Sequence, residues 1–126
     1  MIKSCTDIEQ SKVLSNILNH ITADMPYSPV NYEDPNILCN VPNTHKPYDN
    51  DLPCWSLAAL FKVLPVKLED TNSHIRMDIN PDKFYLWYEI GFNMHSMVQE
   101  NKAVDACYTM INNLHNEGIK LNTFKA

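Results

Sequence analysis

The stretch HIRMDINPDKFYLWYEIGFNMHSMVQ, residues 74–99, decides the fold. Ile75, Met77 and Ile79 alternate with His74, Arg76 and Asp78, the period of a half-buried strand. Asn80-Pro81-Asp82-Lys83 reads as a turn with Pro at its second position. Phe84, Leu86 and Tyr88 then alternate with Tyr85, Trp87 and Glu89 in a second strand. Five aromatic or Leu residues in a row mean that both sheet faces are partly covered, or that one face offers an aromatic patch. Gly91 marks a bend. Phe92, Met94, Ser96 and Val98, opposite Asn93, His95, Met97 and Gln99, give a third strand. Short links between three such strands predict an antiparallel meander.

Helices flank this meander. Upstream, Thr6 and Glu9 have the spacing of a capping box, and Val13, Leu14, Ile17, Leu18 and Ile21 form an apolar stripe, predicting a helix over 6–21. Immediately before the meander, Ser56 is placed as an N-cap between Trp55 and Leu60, a hydrophobic staple, and Pro65 stops that helix. Downstream, Asn101 is a natural N-cap for the stripe Ala103, Val104, Cys107, Met110, Ile111 and Leu114. Gly118 fits the C′ position, with Ile119 able to touch Leu114. The expected architecture is α+β: a three-stranded antiparallel meander packed with two N-terminal helices and one long C-terminal helix. At 126 residues it fits one domain over 1–126. Within it lie a helix over 6–21, an irregular region over 22–53, and a helix, meander and helix over 54–118.

The irregular region holds Pro26, Pro29, Pro35, Pro42, Pro47 and Pro53, and shows neither a strand nor a helix period. A connection of this length is either functional or loosely ordered. It is acidic, with Asp24, Glu33, Asp34, Asp49 and Asp51 against Lys46, and it bears tyrosines. Tyr32, Asp34, Tyr48, Asp49 and Asp51 are therefore candidate interaction residues, alongside Tyr85 and Trp87 of the aromatic strand.

Composition removes several function classes. The chain has two glycines, Gly91 and Gly118, so no phosphate-cradling loop or nucleophile elbow can be written. Net charge is −5, with Arg76 the single arginine, which argues against a nucleic-acid partner. No apolar run reaches the ~18–20 residues of a membrane span, and MIKSCTDIEQ has no apolar core of a signal peptide. A cytoplasmic location is expected, with Cys5, Cys39, Cys54 and Cys107 as thiols. Cys39, His45 and Cys54 lack the tight ligand pairs of a zinc site, so neither metal nor cofactor is expected.

Trp55, Ser56, Ala59, Leu60, Leu64 and Pro65, together with Asp105, Ala106, Cys107, Leu114 and His115, form a recognisable combination. It resembles small uncharacterised proteins of gut Bacteroidetes genomes and their phages or mobile elements. The resemblance spans 52–118 and implies an accessory or mobile-element setting without implying an activity. Lys102 stands where such proteins have proline, and Cys54 where they have a small residue. The expected function is a protein-interaction module, binding a partner protein or forming a homo-oligomer, with no catalytic residues assigned. One alternative is an antitoxin-like partner of the HicB type that neutralises a basic toxin, an analogy of element order. Another is a small hydrolase using His74 or His95 with a carboxylate.

Overall fold

A computed structural model describes residues 3–30, 37–69 and 71–122. Three α-helices, α1 (Ile8–Ile17), α2 (Leu57–Val63) and α3 (Ala103–Asn116), combine with two antiparallel sheets. The larger sheet is the meander β3 (Ser73–Ile79), β4 (Phe84–Ile90) and β5 (Asn93–Glu100), with β4 central. The smaller pairs β1 (Met25–Tyr27) with β2 (Leu52–Cys54). The α+β class and the meander agree with the sequence; the second sheet is an addition to it.

That second sheet corrects the reading of 22–53 as irregular. β1 and β2 close the proline-rich segment at its two ends, with Pro26 directly opposite Pro53. A pair of prolines can exchange no ladder hydrogen bond, and the Pro26 carbonyl instead accepts from the Asn43 N–H at 3.0 Å. Prolines mask a strand that short from any periodicity argument. Within the loop, Val30 N–H donates to the Ile37 carbonyl at 2.8 Å and Cys39 N–H to the Ser28 carbonyl at 2.9 Å.

Helix α1 is shorter than predicted. Its N-cap is Asp7, whose carboxylate accepts from the Gln10 N–H while the Gln10 side chain accepts from the Asp7 N–H. Thr6 is unavailable as a cap because its hydroxyl is buried and accepts from the Trp55 N–H at 3.1 Å. The helix ends at Ile17, and a 3-10 turn, His20–Thr22, follows with Ile21 facing solvent. Helix α2 starts as expected, with Ser56 accepting from the Ala59 N–H. Helix α3 is capped by Lys102 rather than Asn101, without a side-chain cap bond. Its C-terminus is a full Schellman ending: Gly118 N–H donates to His115 and Ile119 N–H to Leu114, with Gly118 at φ +74°.

The core lies between α3, α2 and the inner face of the sheet. Leu60, Val63, Leu86, Tyr88, Val104, Cys107, Met110, Ile111 and Leu114 are all fully buried. Glu100 on β5 accepts from Thr109 of α3 at 3.0 Å, which fixes the helix over β4 and β5. The Tyr88 hydroxyl reaches the Pro65 carbonyl at 2.7 Å, fastening the exit of α2 to the central strand.

The uncapped start of α3 is held from outside. Lys3 meets Asp105 at 2.7 Å and Asp7 at 3.2 Å, and Gln10 donates to the same Asp105 oxygen at 2.9 Å. Burial alone would raise the Asp105 pKa, but the hydrogen bonds from Lys3 and Gln10 outweigh it and hold the carboxyl below its ordinary value. Burial would likewise lower Lys3, and its bonds to Asp105 and Asp7 reverse that direction. A depressed carboxyl contributes stability above its unfolded pKa, about 3.9, and loses it as pH falls through the folded value. In thermal melts, Asp105→Asn is therefore less stable than the parent near neutral pH, and the gap closes as pH drops below about 4. Leu60→Ala, which removes a fully buried side chain, costs about 2–5 kcal/mol in denaturant titrations.

Candidate functional site

The sheet is covered on one side only. Side chains of Phe84, Leu86 and Tyr88 point to the core, so those of Tyr85, Trp87 and Glu89 occupy the other face of the central strand. Cross-strand register sets Asp78 and Gln99 beside Tyr85, Arg76 beside Trp87, and His74 and Met94 beside Glu89. Helix α3 packs against β4 and β5 from the core side. Among the described residues, no helix or strand of the chain is laid over the outer face.

A bulge in β5 completes this face. Register between β4 and β5 shifts between Leu86 and Tyr88, and Ser96 takes φ +56°. Because one extra residue reverses the alternation, both His95 and Val98 turn to the inner side, opposite Tyr88 and Leu86. The expectation that His95 lies on the face opposite the apolar side chains is thereby corrected. Alternation from Val98 brings Met97 to the outer face, which already holds Met94, and both are exposed. Two methionines, flexible and polarisable, thus flank the aromatic pair. The sequence gives no sign of the bulge, since serine at a positive φ has no compositional signature.

Polar side chains border the aromatic pair on this face: His74, Arg76, Asp78, Glu89 and Gln99. The Arg76 guanidinium meets Glu89 at 3.2 Å in a solvent-exposed pair. The Trp87 indole N–H has no hydrogen-bond partner among the described residues although it is shielded from solvent. At the far end of the hairpin, Gly91 at φ +60° opens a two-residue turn of II′ pattern that leaves Phe92 fully exposed.

The remaining sequence candidates lie elsewhere. Tyr32 and Asp34 fall outside the described residues. Tyr48 is exposed and stacks on His45 with ring centroids 4.7 Å apart, and its N–H donates to Asp51 at 2.8 Å. Tyr48 and Asp49 line a shallow hollow of about 410 Å³ with His20, Ile21, Lys46 and Pro47. A neighbouring hollow of about 310 Å³ shares Ile21 and Lys46 and adds Asp24 and Lys62. Lys46 is held there by the Ala23 carbonyl at 3.3 Å. Tyr85 and Trp87 line neither hollow, so the candidates form two surfaces, the loop and the sheet.

The two strand histidines also separate. His74 is exposed on the outer face, whereas His95 meets Glu117 at 3.2 Å beside α3, with Ser96 3.4 Å from the other Glu117 oxygen. Neither histidine lines the two hollows. All four cysteines are free, and burial pushes the thiols of Cys54 and Cys107 up to about 12, so both stay protonated at neutral pH. No three His, Cys, Asp or Glu side chains converge on a metal-sized site among the described residues. No helix among them is long and apolar enough to cross a membrane. Comparison with family models, with curated proteins and with solved structures returns no match.

Proposed function

We propose that this chain is a small cytoplasmic protein-interaction module that docks a partner protein on the outer face of its meander. The observation that carries the reading is an uncovered sheet face with Tyr85 and Trp87 at its centre, flanked by Met94 and Met97. A sheet face of that composition buries apolar area well, and Trp, Tyr, Met and Arg are the residues that interfaces favour. Arg76 and Glu89 supply a polar rim. Net charge −5 favours a basic partner through electrostatic steering. The exposed loop residues Tyr48 and Asp49 offer a second, separate candidate surface. An accessory protein of mobile-element origin is the setting that the sequence resemblance suggests.

The test is affinity capture with the whole chain from lysate of its source, using four baits: parent, Trp87→Ala, Trp87→Phe, and Asp49→Lys with Asp51→Lys. Each bait is first shown to melt as the parent does. A defined protein that the parent retains should be lost with Trp87→Ala and kept with Trp87→Phe. Loss only with the loop reversals would move the docking surface to the loop. Equal retention by all four baits would contradict both surfaces.

A further inference from the structure

The outer face ends at an edge strand, β3, whose backbone is half open. In the β3–β4 pairing, the Asn80 N–H bonds to the Lys83 carbonyl at 2.9 Å. Counting back from that bonded pair, Asp78, Arg76 and His74 exchange hydrogen bonds with β4, and Ile79, Met77 and Ile75 turn theirs to the free edge. The Val66 carbonyl takes the Ile75 N–H at 3.1 Å and closes that end. Met77 and Ile79 remain without edge partners among the described residues. The two residues are 46% and 72% exposed. β3 runs in unbroken register over its seven residues and has no Pro or Lys, devices that normally blunt an edge.

Charge decides what can pair there. Asp78 lies between the two open residues on the outer side and has no ion-pair partner among the described residues, while Arg76 is engaged by Glu89. A second copy pairing antiparallel over the open span would set Asp78 against Asp78, a like-charge contact. The register that sets Arg76 against Asp78 would need the edge of Ile75, which Val66 already holds. Resting on the reading that the sheet docks a protein, we propose that the β3 edge receives an extended segment of the partner with the pattern apolar–basic–apolar. The basic residue stands opposite Asp78. The two apolar residues pack beside Met77 and Ile79, and their backbone groups take the open N–H and C=O groups of that pair. This is strand addition, in which the main chain supplies affinity and alternate side chains supply specificity.

The probe is the capped peptide Thr-Val-Lys-Val-Thr, titrated to millimolar concentration into isotope-labelled whole chain, with amide shifts as the readout. Amide shifts at Met77 and Ile79 are expected. Binding should weaken roughly tenfold when Lys in the peptide is replaced by Glu. The variant Asp78→Lys should reverse that preference without changing the melting behaviour. Equal binding of both peptides, or no shift at Met77 and Ile79, would overturn the proposal. So would peptide-free, concentration-dependent shifts at those two amides, because a second copy would then own the edge. None of these outcomes alters the capture result with Trp87→Ala, so the edge and the face fail separately.

Discussion

Trp55 is the side chain on which the rest of the packing depends. It is fully buried, and its indole N–H donates to the Thr22 hydroxyl at 2.8 Å. Its backbone is gripped on both sides by Thr6, through the Thr6 N–H at 2.9 Å and the Thr6 hydroxyl at 3.1 Å. Thr6 in turn pairs with Ser11 at 2.8 Å and accepts the Tyr27 hydroxyl on its carbonyl at 2.8 Å. One residue thus joins the start of α1, the 3-10 turn, the β1–β2 ribbon and the entry of α2. Asp24 adds two bonds to Ser56, one from its N–H at 2.9 Å and one from its hydroxyl, so the cap of α2 is itself held. Every member of this buried set is satisfied, the condition under which polar groups inside a core rigidify it. Removing one partner would strand the other at a cost of about 1–3 kcal/mol.

That network serves the sheet indirectly. With α1, the ribbon and α2 tied together around Trp55, α2 and α3 enclose the core from one side, and the inner face of β4 closes it. Tyr88 connects the two parts through the Pro65 carbonyl. The helices are spent on the inner face. The outer face is therefore left with aromatic and thioether side chains that the fold does not use.

Much of this was legible in the residues. Alternation over 74–90 placed Tyr85 and Trp87 together on one face, and the helical stripe of α3 identified its buried side chains. Gly91 and Gly118 stood out as backbone positions, and both adopt positive φ. Three features were not legible. The β1–β2 ribbon is too short and too rich in proline to show a period. The cap of α1 moved from Thr6 to Asp7 because a long-range contact with Trp55 claimed the threonine hydroxyl, and local spacing contains no such information. The bulge at Ser96 inverted the phase of β5, which brought Met97 to the outer face and His95 to Glu117. Only the cap was lost to a tertiary contact overriding a local pattern; the ribbon and the bulge leave no local pattern to read.

The chain has two tryptophans in different circumstances, Trp55 sealed in the core and Trp87 half-buried on the outer face of the sheet. Acrylamide quenching of fluorescence therefore reads the proposed docking surface directly, with Trp55→Phe and Trp87→Phe variants assigning the signals. With partner absent, the quenchable emission should belong to Trp87, and saturating partner should abolish that quenching while leaving Trp55 unchanged. Quenching of Trp87 that is equal with and without bound partner would contradict the claim that the outer sheet face is where this protein does its work.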